Sequence, residues 1–211
     1  EVTVDKINHR YLSVDHEQKL FNVIKVIEAH PKDKVIIFTH TKRNTKTIHQ
    51  ILIWDGFNAG LLNGDMAQGK RQSTLNSFKE NKIQILVTTD VAARGLNMEN
   101  VGLVINFDVP IDAKSYIHRI WRTGRAGATG KAIMLVSPLE KPLVREIEKI
   151  HRIRIQPSDH VMQNDRQWAY WNLRLDRSTD KKGGGRKPMQ RKRLSPTQKY
   201  GKLPLFDDQK P

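Results

Sequence analysis

Short apolar, β-branched runs recur along the first 150 residues, each separated from the next by a segment with helical spacing. The runs are 34–39 (KVIIFT), 58–62 (NAGLL), 83–88 (IQILVT), 102–106 (GLVIN) and 131–136 (KAIMLV). Nearly unbroken apolar character marks strands covered on both faces, as in a parallel sheet. The helical candidates between them are 15–29, 42–55, 67–80, 111–122 and 138–150. Strands that alternate with helices over this length form crossover units. The expected fold is therefore α/β: an open, mostly parallel sheet with helices on both faces.

Beyond residue 156 the pattern breaks, and the chain is read in three parts. Residues 1–156 make the α/β domain. Residues 157–178 form a short extension in which Trp168, Tyr170 and Trp171 are spaced to cover one side of a helix and dock on the core. Residues 179–211 are rich in Lys, Arg, Gly and Pro with almost nothing to bury, the composition of a largely disordered, low-complexity tail. The mean hydropathy of −0.60 agrees with a partly solvated chain. The opening EVTVDKINHR resembles neither a signal peptide nor a natural start, and reads as a cut from a longer protein.

Charge points to the partner class. The chain carries a net charge of +15; residues 1–150 hold 22 Lys+Arg against 16 Asp+Glu, and residues 151–211 hold 15 against 6. Such a balance favours polyanions through phosphate contacts and counterion release, although excess Lys and Arg also serve solubility. The tail has no amphipathic helix with a broad apolar face, and no run approaches the ~20 apolar residues of a membrane span, so nucleic acid is favoured over membrane. With no cysteine, disulfides and thiolate zinc sites are excluded, and the eight histidines lack ligand spacing, so no metal site is expected.

In open parallel sheets ligands sit outside the carboxyl ends of the strands. Polar clusters fall after four of the expected strands: Thr39-His40-Thr41-Lys42-Arg43, then Asn63-Gly64-Asp65 with Gln68 and Arg71, then Thr88-Thr89-Asp90 with Arg94-Gly95-Leu96-Asn97, and finally Asp108 leading to SYIHRIWRTGRAGATG at 115–130. In that last segment Arg119, Arg122 and Arg125 recur at three-residue steps close to His118. On a helix they would share one face and repel one another unless an anion lay opposite. Two readings stand at this point: a phosphate clamp, since guanidinium groups bind phosphate bidentately, or a solvated basic helix face.

A phosphate cradle is missing from the same chain. The nearest approach to a G-x-x-x-x-G-K-[ST] loop, GRAGATGKA at 124–132, has one residue too many, and Lys131 is followed by Ala132, which cannot ligate magnesium. No Asp-Glu pair follows a strand. Arginines suited to phosphoryl transfer without a cradle make half of an active site.

These segments together resemble the C-terminal RecA-like domain of DEAD-box ATP-dependent RNA helicases, over roughly residues 1–155. KVIIFTHTKR is similar to the family's motif IV, GDMAQGKR carries its glutamine-x-x-arginine element as Gln68 and Arg71, LVTTDVAARGLN is similar to motif V, and YIHRIWRTGRAG to motif VI. The resemblance implies that Arg122 and Arg125 are catalytic arginine fingers and that Gly95 and Asn97 lie near the nucleotide ribose. It implies that Thr41, Lys42, Gly64, Gln68, Arg71 and Thr89 contact the RNA backbone, and that His118 and Arg119 knit an interdomain surface. The implied partners are RNA and an N-terminal RecA-like domain of the same protein, which would hold most of the ATP and its Mg²⁺. On that reading the full-length protein is an RNA-dependent ATPase and helicase, inactive as this lobe alone.

Two positions depart from the family pattern: Trp121 replaces a glycine, and Asn97 an aspartate. A bulky ring at 121 either obstructs closure or lies on the core side and leaves the arginines unaffected. The alternative function is accordingly a non-catalytic RNA-binding or scaffold protein with a helicase-like fold. A DNA-directed relative is disfavoured by the His118-Arg119 opening of motif VI. A cytoplasmic protein is expected, with RKPMQRKR readable as a nuclear signal or an RNA-binding element.

Overall fold

The computed structural model describes residues 6–96, 98, 100–123 and 129–158 of the 211-residue chain. Asn97, Gly124, Arg125, Gly127, the aromatic extension beyond residue 158 and the basic tail lie outside the described residues. Seven strands are described: β1 (Ile7–Ser13), β2 (Val35–Thr39), β3 (Ala59–Leu62), β4 (Ile85–Thr89), β5 (Leu103–Asn106), β6 (Gly130–Val136) and β7 (Gln156–Pro157). They join one sheet in the order β3-β4-β2-β5-β6-β1-β7, and every pairing is parallel. This is the expected α/β fold, RecA-like in its sheet and helices.

The helices are α1 (Lys19–Ala29), α2 (Lys42–Trp54), α3 (Gln68–Lys79), α4 (Asp90–Ala93), α5 (Ala113–Ile120) and α6 (Lys141–His151). Successive strand residues point to opposite faces. Val35 and Ile37 therefore pack with Phe21, Ile24, Ile48 and Ile51 of α1 and α2. Ile36 and Phe38 face the other way, onto Leu75 and Phe78 of α3 and Ala92 and Ala93 of α4. Ala132 and Met134 of β6 share that second face with Tyr116 and Ile120 of α5 and Val144 and Ile147 of α6. Burying a Val, Leu or Ile side chain contributes about 1.5–3 kcal/mol, so covering both faces accounts for the apolar runs of the central strands.

Two strands escape the sequence reading. β1 (INHRYLS) carries polar residues at most positions, and its buried polar residue, His9, shares a 2.8 Å hydrogen bond with the Tyr116 hydroxyl. β7 spans only Gln156–Pro157. The four-residue α4 was also not expected; it forms because Thr89 caps it, its Oγ1 accepting from the Ala92 N–H. Helix α5 is shorter than the expected 111–122, starting at the Asp112 cap and ending at Trp121. Among the described residues no helix is long and apolar enough to cross a membrane, and no group of His, Cys, Asp or Glu is placed to hold a metal ion.

Candidate nucleic-acid and nucleotide interface

Parallel register assembles one edge of the molecule. Thr39 pairs with Thr89, and Leu62 with Thr88, so the segments following β2, β4 and β3 emerge side by side. Thr41 then caps α2, its Oγ1 accepting from the Asn44 N–H at 3.0 Å. Lys42 is exposed at the start of that helix and lies against Gly64, where an added Cβ would stand 3.4 Å from the Lys42 Cε. Arg71 reaches from α3 to the Ala92 carbonyl, with Nη2 at 3.1 Å. Gln68, the first residue of α3, is exposed beside this group. Thr41, Lys42, Gly64, Arg71 and Thr89 are thus drawn together at the carboxyl ends of three neighbouring strands.

Thr89 and Arg71 have structural duties as well. The Thr89 hydroxyl is engaged in capping, and Arg71 ties α3 to α4. Lys46, one turn beyond Lys42, belongs to the same cationic edge and was missed. Its four-residue spacing from Lys42 was the available signal.

The arginine run does not form the single stripe that its spacing suggested. Arg119 is 1% exposed, on the sheet-facing side of α5 with Tyr116 and Ile120. Its Nε and Nη2 donate to the two carboxylate oxygens of Asp90 at 2.7 and 2.6 Å, and Nη1 donates to Asn106 Oδ1 and the Asp108 carbonyl at 2.9 and 2.8 Å. The guanidinium carbon stands 5.3 Å from the Phe38 ring centroid. The anion opposite is therefore supplied by the domain itself, and Arg119, for which an interdomain role was expected, is placed in this lobe as an internal brace. A backbone bond from His40 N–H to Asp108 Oδ2 at 2.8 Å continues the network to the end of β2.

Arg122 lies elsewhere. α5 runs back across the sheet, and Thr123 bridges Val101, next to the amino end of β5, rather than a carboxyl end. Arg122 is half-buried and donates through Nη1 to the Leu96 carbonyl and through Nη2 to the Ala93 carbonyl at 3.4 Å. The β4–β5 connection that accepts these bonds contains Gly95, whose φ of +73° explains the glycine there. Gly95 and Arg122 are accordingly brought to one flank. Asn97 and Arg125 lie outside the described residues. His118 is exposed on the outer side of α5, and Trp121, 44% exposed, places its ring centroid 6.2 Å from the His118 ring. The Trp121 ring is thus not core-facing.

An α/β sheet of this order, with a cationic edge over three carboxyl ends and a glycine turn beside an arginine on the β4–β5 connection, is a RecA-like lobe. The helicase conserved C-terminal domain model matches residues 18–127. The chain is 39% identical over 179 residues to the DEAD-box ATP-dependent RNA helicase CshA of Bacillus subtilis, covering 82% of this chain and 36% of that protein. It superposes on Escherichia coli DEAD-box protein SrmB, solved bound to regulator of ribonuclease activity A, with a TM-score of 0.68, 31% identity and coverage of 73% and 91%. Saccharomyces cerevisiae Dbp5, solved with RNA and ADP BeF3, gives a TM-score of 0.69, 28% identity and coverage of 84% and 46%. The chain belongs to the DEAD-box RNA helicase family, as its C-terminal helicase domain. It spans about a third of the length of the Bacillus relative.

Proposed function

We propose that this domain works as the C-terminal lobe of an ATP-dependent RNA helicase and is inactive without the N-terminal lobe. The observation that carries the reading is the meeting of two residue groups at α4, where Arg71 donates to the Ala92 carbonyl from the cationic edge and Arg122 to the Ala93 carbonyl from the β4–β5 connection. The edge bearing Thr41, Lys42, Gly64, Gln68, Arg71 and Thr89 serves the RNA backbone. The flank bearing Gly95 and Arg122, with Asn97 and Arg125 in the adjoining sequence, serves the nucleotide. Support comes from the relatives: the Bacillus protein is named an ATP-dependent RNA helicase, and the yeast structure holds RNA and ADP BeF3.

In this reading ATP and its Mg²⁺ bind mainly on the N-terminal lobe, because the present sequence has no phosphate cradle. Closure brings Arg122 and Arg125 to the γ-phosphate, where guanidinium groups stabilise the charge on the transferring phosphoryl group, an effect of about 10³–10⁵ in rate in related systems. His118 faces the same closing surface. Arg122 must exchange its bonds to the Leu96 and Ala93 carbonyls for phosphate oxygens as the lobes meet. Exposed Trp121 on that flank favours the second reading, a scaffold that binds RNA without hydrolysis.

RNA-stimulated ATP hydrolysis separates the two. The isolated chain should be silent and the full-length protein active. Arg122→Ala should lower kcat at least a hundredfold while leaving nucleotide-free RNA binding intact, as expected for an interaction made in the transition state. Arg122→Lys should not rescue, because a point charge lacks the planar fork. A full-length protein whose hydrolysis is indifferent to Arg122→Ala would establish the scaffold instead.

A further inference from the structure

Lys42 and Lys46 are one turn apart on α2, so their ammonium groups stand on one face. Asp65, in the loop after β3, meets both: Lys42 Nζ is 2.5 Å from Oδ1 and Lys46 Nζ is 3.4 Å from Oδ2. The side chains of Lys42, Lys46 and Asp65 are 56%, 60% and 48% exposed, respectively. The carboxylate thus spans the two ammonium groups with one oxygen each, as two non-bridging oxygens of a phosphodiester would. Gly64 leaves the neighbouring backbone without a side chain at the point where it meets Lys42. Beneath the loop Asn63 is 1% exposed; its Oδ1 accepts from the Asp65 N–H at 3.1 Å, and its Nδ2 has no hydrogen-bond partner among the described residues. An exposed ion pair contributes little and exchanges readily with another anion. The hydrogen bond from Lys42, with that from Lys46 and the two charges, outweighs desolvation and holds the Asp65 carboxyl below the ordinary carboxylate range, so it is anionic throughout the neutral range.

We propose that Asp65 occupies the seat of an RNA phosphate between Lys42 and Lys46, acting as a built-in competitor that limits the affinity of this edge for RNA. The proposal rests on the RNA reading above and extends it: Lys46 joins the site, and an acidic residue acquires a function within a basic surface. RNA binding must displace the carboxylate, which then stays within a few ångströms of the incoming phosphate and repels it. Affinity for any one phosphate is held down, and release of the strand is correspondingly easier.

The test uses this chain and a fluorescently labelled single-stranded oligoribonucleotide, with anisotropy read at several salt concentrations. Four proteins are compared: the wild type, Asp65→Asn, Lys42→Ala/Lys46→Ala and the triple substitution, each checked by circular dichroism. Asp65→Asn should bind roughly three- to tenfold more tightly at low salt, the effect of removing one like charge about 4 Å from a phosphate in water. The gain should vanish in the double-lysine background, because competition needs the seat. Unchanged or weaker binding by Asp65→Asn, while the lysine substitutions still weaken it, overturns the competitor and leaves the RNA reading intact. Wild-type affinity in the double-lysine protein overturns both.

Discussion

Arg119 and Arg122 share a residue type and a helix end, and differ only in what the fold puts before them. Arg119 meets Asp90, Asn106 and the Asp108 carbonyl inside the domain, whereas Arg122 meets two backbone carbonyls on a flank. The sequence made the arginines legible as phosphate-binding chemistry. It could not show that one of them is consumed internally, because Asp90 lies 29 residues away and is brought near only by the crossover from β4 to α5. The brace has a measurable consequence. Removing one member of a buried ion pair costs about 3–5 kcal/mol, and less where one partner keeps water; Asp90 is 36% exposed against 1% for Arg119. Arg119→Met and Asp90→Asn should therefore each lower stability by about 2–4 kcal/mol, with Arg119→Met restoring part of the loss in the Asp90→Asn background. Urea denaturation of the four proteins checks this. Strictly additive losses would mean that the pair does not act as a unit.

At the scale of elements, strands with unbroken apolar runs were legible, and those carrying polar side chains were not. β1 failed the pattern because it uses His9 as a core residue, satisfied by the Tyr116 hydroxyl, whose proton burial holds well above the ordinary range. The carboxyl ends of β5 and β6 hold a further polar cluster that spacing did not reveal. Lys19, fully buried in α1, donates to the Phe107 carbonyl at 3.0 Å and to Glu140 Oε2 at 2.6 Å. Glu140 also accepts from Ser137 N–H and Oγ at 2.9 and 2.7 Å, closing a capping box that starts the turn into α6. Burial alone would raise the Glu140 carboxyl, but the hydrogen bonds from Lys19 and Ser137 and the Lys19 charge outweigh it, so its value falls below the ordinary 4.5. A carboxylate depressed in the folded state contributes stability that is present above its unfolded value and lost as pH falls through its folded one. Stability should thus decline below about pH 4.5, and Glu140→Gln should lower it at pH 7 while flattening this acid limb. Thermal melts from pH 3 to 7 on both proteins decide; an equally steep acid limb in the variant would remove Glu140 as its source.

For the whole molecule, the balance of charge divides the work between a structured edge and the sequence that follows the sheet. The described domain ends at β7, which pairs parallel to β1, so the chain leaves the sheet on the same side as the carboxyl ends that carry the cationic edge. Residues 179–211 contain 10 Lys+Arg against 3 Asp+Glu. Their sequence offers few apolar side chains to a core, so their contribution to RNA binding is expected to be counterion release rather than a shaped site. Deleting 179–211 should leave the thermal midpoint unchanged and weaken binding of a single-stranded RNA. Each phosphate that the shortened chain no longer neutralises makes the slope of log affinity against log salt shallower by about 0.7, so the deficit should be largest at about 50 mM salt and shrink toward about 200 mM. Lys42→Ala/Lys46→Ala should weaken binding in the truncated chain as it does in the full one, because the two elements reach different phosphates. Equal affinity and slope with and without residues 179–211 would assign RNA binding to the sheet edge alone.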